Sequence, residues 1–158
     1  VTMDSAAAVL SRYADMVYRL AFARTKSRYD ADDILQEVFL RYIRSAPDFQ
    51  EEEHCRAWLI RTTVNCSKTL LMSAWFRKTV PLDDTLVAEM RETGEVYDAV
   101  LRLPKAYRTV VHLYYYEGYS VAEIGGLLGC KEATVKTRLH RARNLLRDTL
   151  KGEAIIDV

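Results

Sequence analysis

Only three of the 158 residues are cysteine, scattered at positions 55, 66 and 130. An odd, unclustered set argues against a disulfide framework and suits a reducing compartment, so a cytoplasmic location is expected. His54, Cys55 and Cys66 match no zinc-ligand spacing, so no metal is expected either. No apolar run approaches the roughly 20 residues of a membrane span. The N-terminal stretch lacks the basic, apolar, small-residue pattern of a secretory signal, and none is expected. No glycine-rich phosphate loop is present: Gly125-Gly126 follows a helix-capping signal rather than a strand. No nucleophile, base and orienting group can be assembled from the spacing. Neither an enzyme, a cofactor nor a small-molecule substrate is called for.

What is present is a well-mixed globular composition, 49% hydrophobic and 28% charged, with a net charge of only +1. The balance is uneven along the chain. Residues 30–53 carry a net −6 and residues 54–82 a net +5; residues 83–98 carry −5 and residues 130–151 again +5. Two basic blocks, each on a predicted helix and each preceded by an acidic one, point to an extended polyanion as partner.

Hydrophobic spacing predicts helices throughout. Val9, Leu10, Tyr13, Met16, Val17, Leu20 and Ala21 form one stripe over residues 5–25. Asp30 is placed to cap a second helix running to about Ser45, with Asp32 and Asp33 suiting its dipole. Ile34, Leu35, Val38, Phe39 and Tyr42 form its inner side; Asp33, Gln36, Glu37, Leu40 and Arg44 lie opposite. Leu40 is then either a lone exposed apolar residue or the centre of a partner-binding face. Ser45 to Asp48, with Pro47, breaks the helix. A third helix is predicted from His54 to Arg77. Its Arg56, Arg61, Lys68, Arg77 and Lys78 have no acid among them and are interleaved with Trp58, Trp75 and Phe76. That mixture suits single-stranded nucleic acid, although Trp58 itself reads first as a core anchor.

Residues 79–94, with Pro81, Asp83, Asp84 and Gly94, read as an acidic linker, with one helical turn at Leu86, Val87 and Met90. The fold class is therefore all-α: two small helical domains, at 1–78 and 95–152, with a frayed tail at 153–158. In the second domain Val96, Val100, Leu101 and Leu103 precede Pro104, and Tyr107, Val110, Val111 and Tyr114 form another apolar face.

The stretch from Tyr119 to Leu150 is the most specific. Ser120 and Glu123 form a capping box, and Gly129 supplies a left-handed stop. A helix from Glu132 to Leu150 follows. Val135, Leu139, Ala142 and Leu146 share its back, while Thr137, His140, Arg141 and Asn144 face the other way. Lys136, Arg143 and Arg147 line a flank. An apolar back and a donor-rich front, reached through a tight turn, make a helix-turn-helix with its recognition helix second.

Four blocks resemble the extracytoplasmic-function (ECF, group 4) class of bacterial sigma factors in the sigma-70 family. Asp30 to Phe39 is similar to that family's DAEDLxQEVF block. Ala57-Trp58-Leu59-Ile60-Arg61 with Asn65 is similar to AWLYRIxxN. Leu103-Pro104 with Tyr107-Arg108 is similar to LPxxYR, and Thr134 to Arg143 to TVKSRLxRAR. The resemblance covers about residues 5–150, in the family's order. It implies a protein that binds core RNA polymerase and promoter DNA. Asp33, Gln36, Glu37 and Leu40 would meet the β′ clamp helices, and the β flap is a second expected contact. Phe49, Trp58, Arg61, Asn65, Lys68 and Thr69 would meet the opened −10 element. Lys136, Thr137, His140 and Arg141 would read the −35 element as duplex, with Arg143 and Arg147 on phosphate. An anti-sigma factor is a further expected partner.

Some positions depart from the family. Thr69 stands where Asp is common and Met72 where Arg is common. Lys131 replaces a Ser-like helix cap, and Gly126 a usual Ala. Two rival functions carry different signatures. A dimeric helix-turn-helix regulator would read symmetric half-sites without polymerase and would not need the exposed acidic face at 30–37. A protein-interaction module would be indifferent to loss of Lys136 and Arg141.

Overall fold

The computed structural model describes residues 3–45, 47–76 and 94–156, with side chains outside the description at 3–4, 73–76 and 152–156. The acidic linker at 79–94, its helical turn, and the side chains of Trp75, Phe76, Arg77 and Lys78 therefore lie essentially outside the described residues. Seven α-helices and one π-helical segment are found among those described. The chain divides into two compact units, residues 1–81 and 82–158. No described helix is long and apolar enough to cross a membrane.

The first unit packs three helices: α1 (Met3–Thr25), α2 (Arg28–Ser45) and α3 (Glu52–Phe76). Its core is Met16, Val17, Leu20 and Ala21 from α1, Ala31, Ile34, Val38, Phe39 and Tyr42 from α2, and Leu59, Ile60 and Val64 from α3. Each fully buried Leu or Ile contributes about 1.5–3 kcal/mol to holding the three helices together. The predicted α1 stripe is not uniform: Leu10 is 42% exposed, although Ala6 one turn earlier is buried. Where α1 ends, Lys26 takes a left-handed backbone (φ 54°). The α2 cap is not Asp30 but Ser27, whose hydroxyl accepts the Asp30 N–H at 3.2 Å. Asp30 sits one turn inside, as the partner of that cap. A buried polar clasp joins α1 to α3: Arg24 Nε–H donates to Ser67 Oγ at 2.9 Å, and that hydroxyl donates to the Val64 carbonyl at 2.7 Å.

The second unit begins with two short helices, α4 (Glu95–Leu101) and α5 (Lys105–Val111). Ala99, Val100, Leu101 and Leu103 are buried, but Val96 is 57% exposed, one turn before the buried run starts. Arg108 is buried too; its Nη1 donates to the Leu103 carbonyl at 2.6 Å and so fixes the Leu103-Pro104 corner. From α5 the chain passes into a π-helical segment, His112–Tyr116. There the Glu117 N–H reaches back five residues to the His112 carbonyl at 3.1 Å, widening the last turn. Inside it, the buried His112 ring lies 3.2 Å from Glu117 Oε1 and stacks on Tyr116.

Two helices follow, α6 (Val121–Leu128) and α7 (Glu132–Ile156). The capping box is complete: Glu123 N–H donates to Ser120 Oγ at 3.1 Å, and Ser120 N–H to Glu123 Oε1 at 3.0 Å. Gly129 takes the left-handed conformation (φ 67°, ψ 36°) that ends α6. Gly125 is required for a different reason: a Cβ there would sit 2.9 Å from the Cys130 carbonyl oxygen, so the turn can close against α6 only if that side chain is absent. The α7 backbone continues to Ile156, six residues beyond the predicted end at Leu150. The frayed tail predicted at 153–158 is thus helical as far as Ile156; Glu153 and Ala154 are good helix formers and no proline intervenes.

Candidate nucleic-acid interfaces

Each unit carries one exposed cationic helix face. In the second unit, Val135, Leu139 and Ala142 are 0–2% exposed against the unit's core, which fixes the rotation of α7 about its axis. Lys136, Thr137, His140, Arg141, Arg143, Asn144 and Arg147 are consequently exposed. From Lys136 to Arg147 the helix rises about 16 Å, enough to follow several base pairs along a major groove about 12 Å wide. Neighbours already constrain some of these groups. Lys136 Nζ lies 3.7 Å from Glu132 one turn earlier. Thr137 Oγ1 donates to the Ala133 carbonyl at 2.9 Å, and Asn144 Nδ2 lies 3.4 Å from His140 Nε2. Arg141 and Arg147 are exposed and make no hydrogen bond or ion pair with other described residues.

Arg143 differs from the rest. Its Nε–H donates to the Tyr115 hydroxyl at 2.7 Å, and its guanidinium carbon lies 5.9 Å and 5.8 Å from the Tyr114 and Tyr115 ring centres. The sequence reading missed this partnership. Its only trace in the sequence was the run of three tyrosines at 114–116.

In the first unit, Arg61, Asn65, Lys68 and Thr69 stand at i, i+4, i+7 and i+8 on α3 and are all exposed. Thr69 Oγ1 donates to the Asn65 carbonyl at 3.2 Å. Met72 extends the row by one turn and is 65% exposed, an apolar end to an otherwise polar face. Trp58 begins the same row one turn before Arg61 and pairs with Phe49 at the mouth of the 47–51 loop. Their ring centres are 6.2 Å apart, and Trp58 meets Tyr42 edge-on at 5.8 Å. Both are half-buried. Trp58 therefore anchors the loop to α2 through one part of its ring and leaves the remainder accessible. Behind Phe49 lies a cleft of about 670 Å³ lined by Val9, Tyr13 and Tyr42 and rimmed by Asp48, Glu51 and Glu52. Arg12, also in the lining, is ion-paired with Glu52, which leaves the rim net acidic through Asp48 and Glu51 and makes the α3 face the better track for a strand's backbone.

The α2 face opposite the core shows Asp33, Gln36 and Leu40 exposed, with Leu40 at 45%. Glu37 is half-buried and bound at 3.0 Å by Arg41 Nε one turn on. The structure adds Ile43, equally exposed at 45% and three residues from Leu40. The two form an apolar centre with a charged rim. The i+3 spacing from Leu40 was the available clue.

The cysteines take no part. Cys55 and Cys66 are buried, and desolvation pushes both thiols up from their usual range. Among the described residues no three His, Cys, Asp or Glu side chains converge as a metal site.

Comparison with known proteins gives matches over most of the chain. The family described as Sigma-70 region 2 matches residues 9–77, and Sigma-70, region 4 matches residues 93–146. The chain is 34% identical over 155 residues to the ECF RNA polymerase sigma factor SigE of Mycolicibacterium smegmatis, covering 90% of this chain but only 60% of that relative's length. It is also 34% identical over 137 residues to the ECF RNA polymerase sigma factor SigM of Mycobacterium tuberculosis, covering 84% of this chain and 70% of the relative. Among solved structures, the sigma factor RpoE in complex with the anti-sigma factor NepR from Bartonella quintana superposes with a TM-score of 0.69. That match spans 90% of this chain and 94% of RpoE at 17% identity, and so speaks for the fold alone.

Proposed function

This chain belongs to the extracytoplasmic-function RNA polymerase sigma factors of the sigma-70 family, and on that premise we propose how its two units divide the work of promoter recognition. A sigma factor directs core RNA polymerase to promoters and initiates transcription there. The dimeric-regulator reading is not favoured, because both sigma regions are matched, in order, in a single chain. The proposal places the chain in group 4 of the family, acting in the cytoplasm without catalysis of its own.

The observation that carries the division of labour is the segregation of α7. Val135, Leu139 and Ala142 are 0–2% exposed on its back, with Leu146 half-buried, while Lys136, Thr137, His140 and Arg141 are exposed on its front beside Leu145, an apolar side chain 42% exposed. In this reading the second unit, residues 95–152, lays that front in the major groove of the −35 element. Arg141, the least encumbered of the group, is the bidentate reader of guanine; Lys136, Thr137 and His140 contribute further base-edge contacts. Arg143 and Arg147 hold phosphate and set register.

The first unit, residues 1–78, has two tasks on two faces. The α2 face of Asp33, Gln36, Glu37 and Leu40, to which Ile43 now belongs, docks on the β′ clamp helices. Its apolar centre and polar rim are what a protein partner requires. The α3 face of Arg61, Asn65, Lys68 and Thr69 tracks the displaced −10 strand, while Phe49 and Trp58 offer ring surface to an unstacked base. The acidic segment at 79–94 joins the two units, and the β flap is the proposed seat of the second. Each unit makes only a handful of phosphate contacts, so the free protein binds DNA weakly. Affinity comes from holding both units on one polymerase, which raises the effective concentration of the second contact. An anti-sigma factor is the proposed regulator, on the family resemblance; RpoE, which shares the fold, was itself solved with one.

Transcription in vitro with core polymerase on a promoter library tests the reading. Initiation from a subset of templates sharing two spaced elements is the expected result. Initiation that ignores template sequence overturns it.

A further inference from the structure

We propose that Tyr115, a residue outside the recognition helix, is a positioning residue for Arg143. In this role it pre-sets the guanidinium as a two-pronged clamp for a DNA phosphate. The inference rests on the reading of Arg143 as a −35 contact given above. It starts from geometry rather than charge. An arginine carries five N–H donors in a rigid planar fork. In Arg143 the Nε–H is taken by the Tyr115 hydroxyl at 2.7 Å, and the side chain has no other hydrogen bond among the described residues. The bond to Nε leaves the four Nη hydrogens, the pair that matches a phosphate's two oxygens.

The rings complete the hold. Tyr114 and Tyr115 are adjacent in sequence, and in a regular α-helix adjacent residues point about 100° apart. Here both rings lie within 6 Å of one guanidinium carbon and 4.9 Å from each other, edge to face. Both residues belong to the π-helical segment, whose widened turn departs from that regular spacing. An exposed arginine elsewhere on the face, such as Arg147, must lose its rotamer freedom when it meets DNA. Arg143 has lost part of its own already, because the second unit's own fold holds it. Tyr115 is 53% exposed, so its ring is not needed to fill the core, and its hydroxyl is free to be removed without leaving a cavity.

A double-mutant cycle in the reconstituted holoenzyme tests this, using binding to promoter duplex as the readout. Tyr115→Phe keeps both rings and deletes only the acceptor, and is expected to weaken binding about three- to tenfold. The number of phosphate contacts is unchanged, so the salt dependence keeps its slope. Arg143→Ala is expected to weaken binding further and to lower that slope by about one. The decisive value is the double variant: Tyr115→Phe is expected to have no further effect once Arg143 is alanine. Equal losses from Tyr115→Phe in both backgrounds, or no loss in either, overturn the inference. Thermal unfolding of each variant separates misfolding from lost contact. If Tyr115→Phe melts early, Tyr115→Leu, at the same exposed position, supplies a second cycle against Arg143→Ala, in which the Tyr115 effect should again vanish. Arg141→Ala is the control for the underlying assignment. Should neither it nor Arg143→Ala weaken binding, the −35 reading itself has failed, which is distinct from failure of Tyr115→Phe alone.

Discussion

Gly125 and Gly126 are neighbours on α6, and substitution by alanine should move stability in opposite directions. Both lie inside the helix. Gly126 is exposed and a Cβ built on it meets nothing within 4 Å. Alanine there removes the entropic cost of an unfolded glycine and adds helix propensity, a gain of about 0.4–1 kcal/mol. For a unit of this size that corresponds to about 2–8 °C in melting temperature. At Gly125 the same propensity gain is offset by a clash. The added carbon would lie 2.9 Å from the Cys130 carbonyl oxygen and 3.6 Å from the Glu132 nitrogen, both backbone atoms at the mouth of α7. Backbone cannot rotate aside as a side chain can, so the turn must shift by several tenths of an ångström. Overpacking of this kind costs about 1–3 kcal/mol, which exceeds the propensity gain. The shift also tilts α7 against the rest of its unit. Gly125→Ala should therefore lose −35-dependent transcription as well as melting temperature, whereas Gly126→Ala should raise the melting temperature and leave promoter choice alone. Circular dichroism melts of the full chain, paired with transcription from a −35-dependent template, read both effects. A stabilised Gly125→Ala, or a destabilised Gly126→Ala, would refute the packing argument.

Four further outcomes follow from the same geometry. Arg141→Ala should cost about 1–3 kcal/mol of promoter discrimination, ten- to hundredfold, with an unchanged melting temperature because the side chain is exposed and unpaired; a binding titration on matched and mutated −35 duplexes checks it. Replacing Leu40 or Ile43 by Asp should weaken binding to core polymerase at least about tenfold, as for an interface anchor, without destabilising the free protein; native binding assays would contradict the docking assignment if affinity held. Asp30 titrates high, first because burial penalises its charge and then because Asp33 is near, against the opposing hydrogen bond from Ser27. Its ionised form thus costs stability above the ordinary carboxylate range, and the cost is relieved as pH falls through the folded-state value. Asp30→Asn should raise the melting temperature at pH 7, and that gain should disappear as pH falls through the carboxylate range, as melts across pH will show. Finally, Cys130, the one half-exposed thiol, should be alkylated first in the native protein, and Cys55 and Cys66 only on unfolding; mass spectrometry after timed labelling would disagree if either buried thiol reacted early.

What could be read from the sequence was whatever the chain decides locally. The Ser120–Glu123 box, the Gly129 stop and the buried series Val135, Leu139 and Ala142 are set by residues three or four apart, and each is found in the structure. Where a third element decides, the sequence misled. Val96 and Leu10 fit an apolar stripe but are left 57% and 42% exposed. Asp30 fits a cap, yet Ser27 takes the position because the chain has already turned at Lys26. On the candidate faces, the helical period alone gathers Arg61, Asn65, Lys68 and Thr69. It could not show that Phe49, from the loop, meets Trp58 at the start of that row with its ring tilted against the indole. Nor could periodicity foresee the π-helical turn, or the bond from Arg143 to a tyrosine 28 residues away.

The division of α7 into a buried back and an open front bears on how such a protein changes over generations. Residues that hold the helix in place and residues that face outward share almost no members. Exchanges at 137, 140, 141 or 144 disturb no more than the Thr137–Ala133 bond and the His140–Asn144 contact within α7 itself, and should each alter stability by about 0.5 kcal/mol or less. If the proposed assignment holds, a lineage can therefore change its promoter preference one residue at a time while its scaffold stands still. Position 143 is the exception. Its side chain is tied to the preceding helical segment, so a change there devalues Tyr115, and the two should drift as a pair rather than singly.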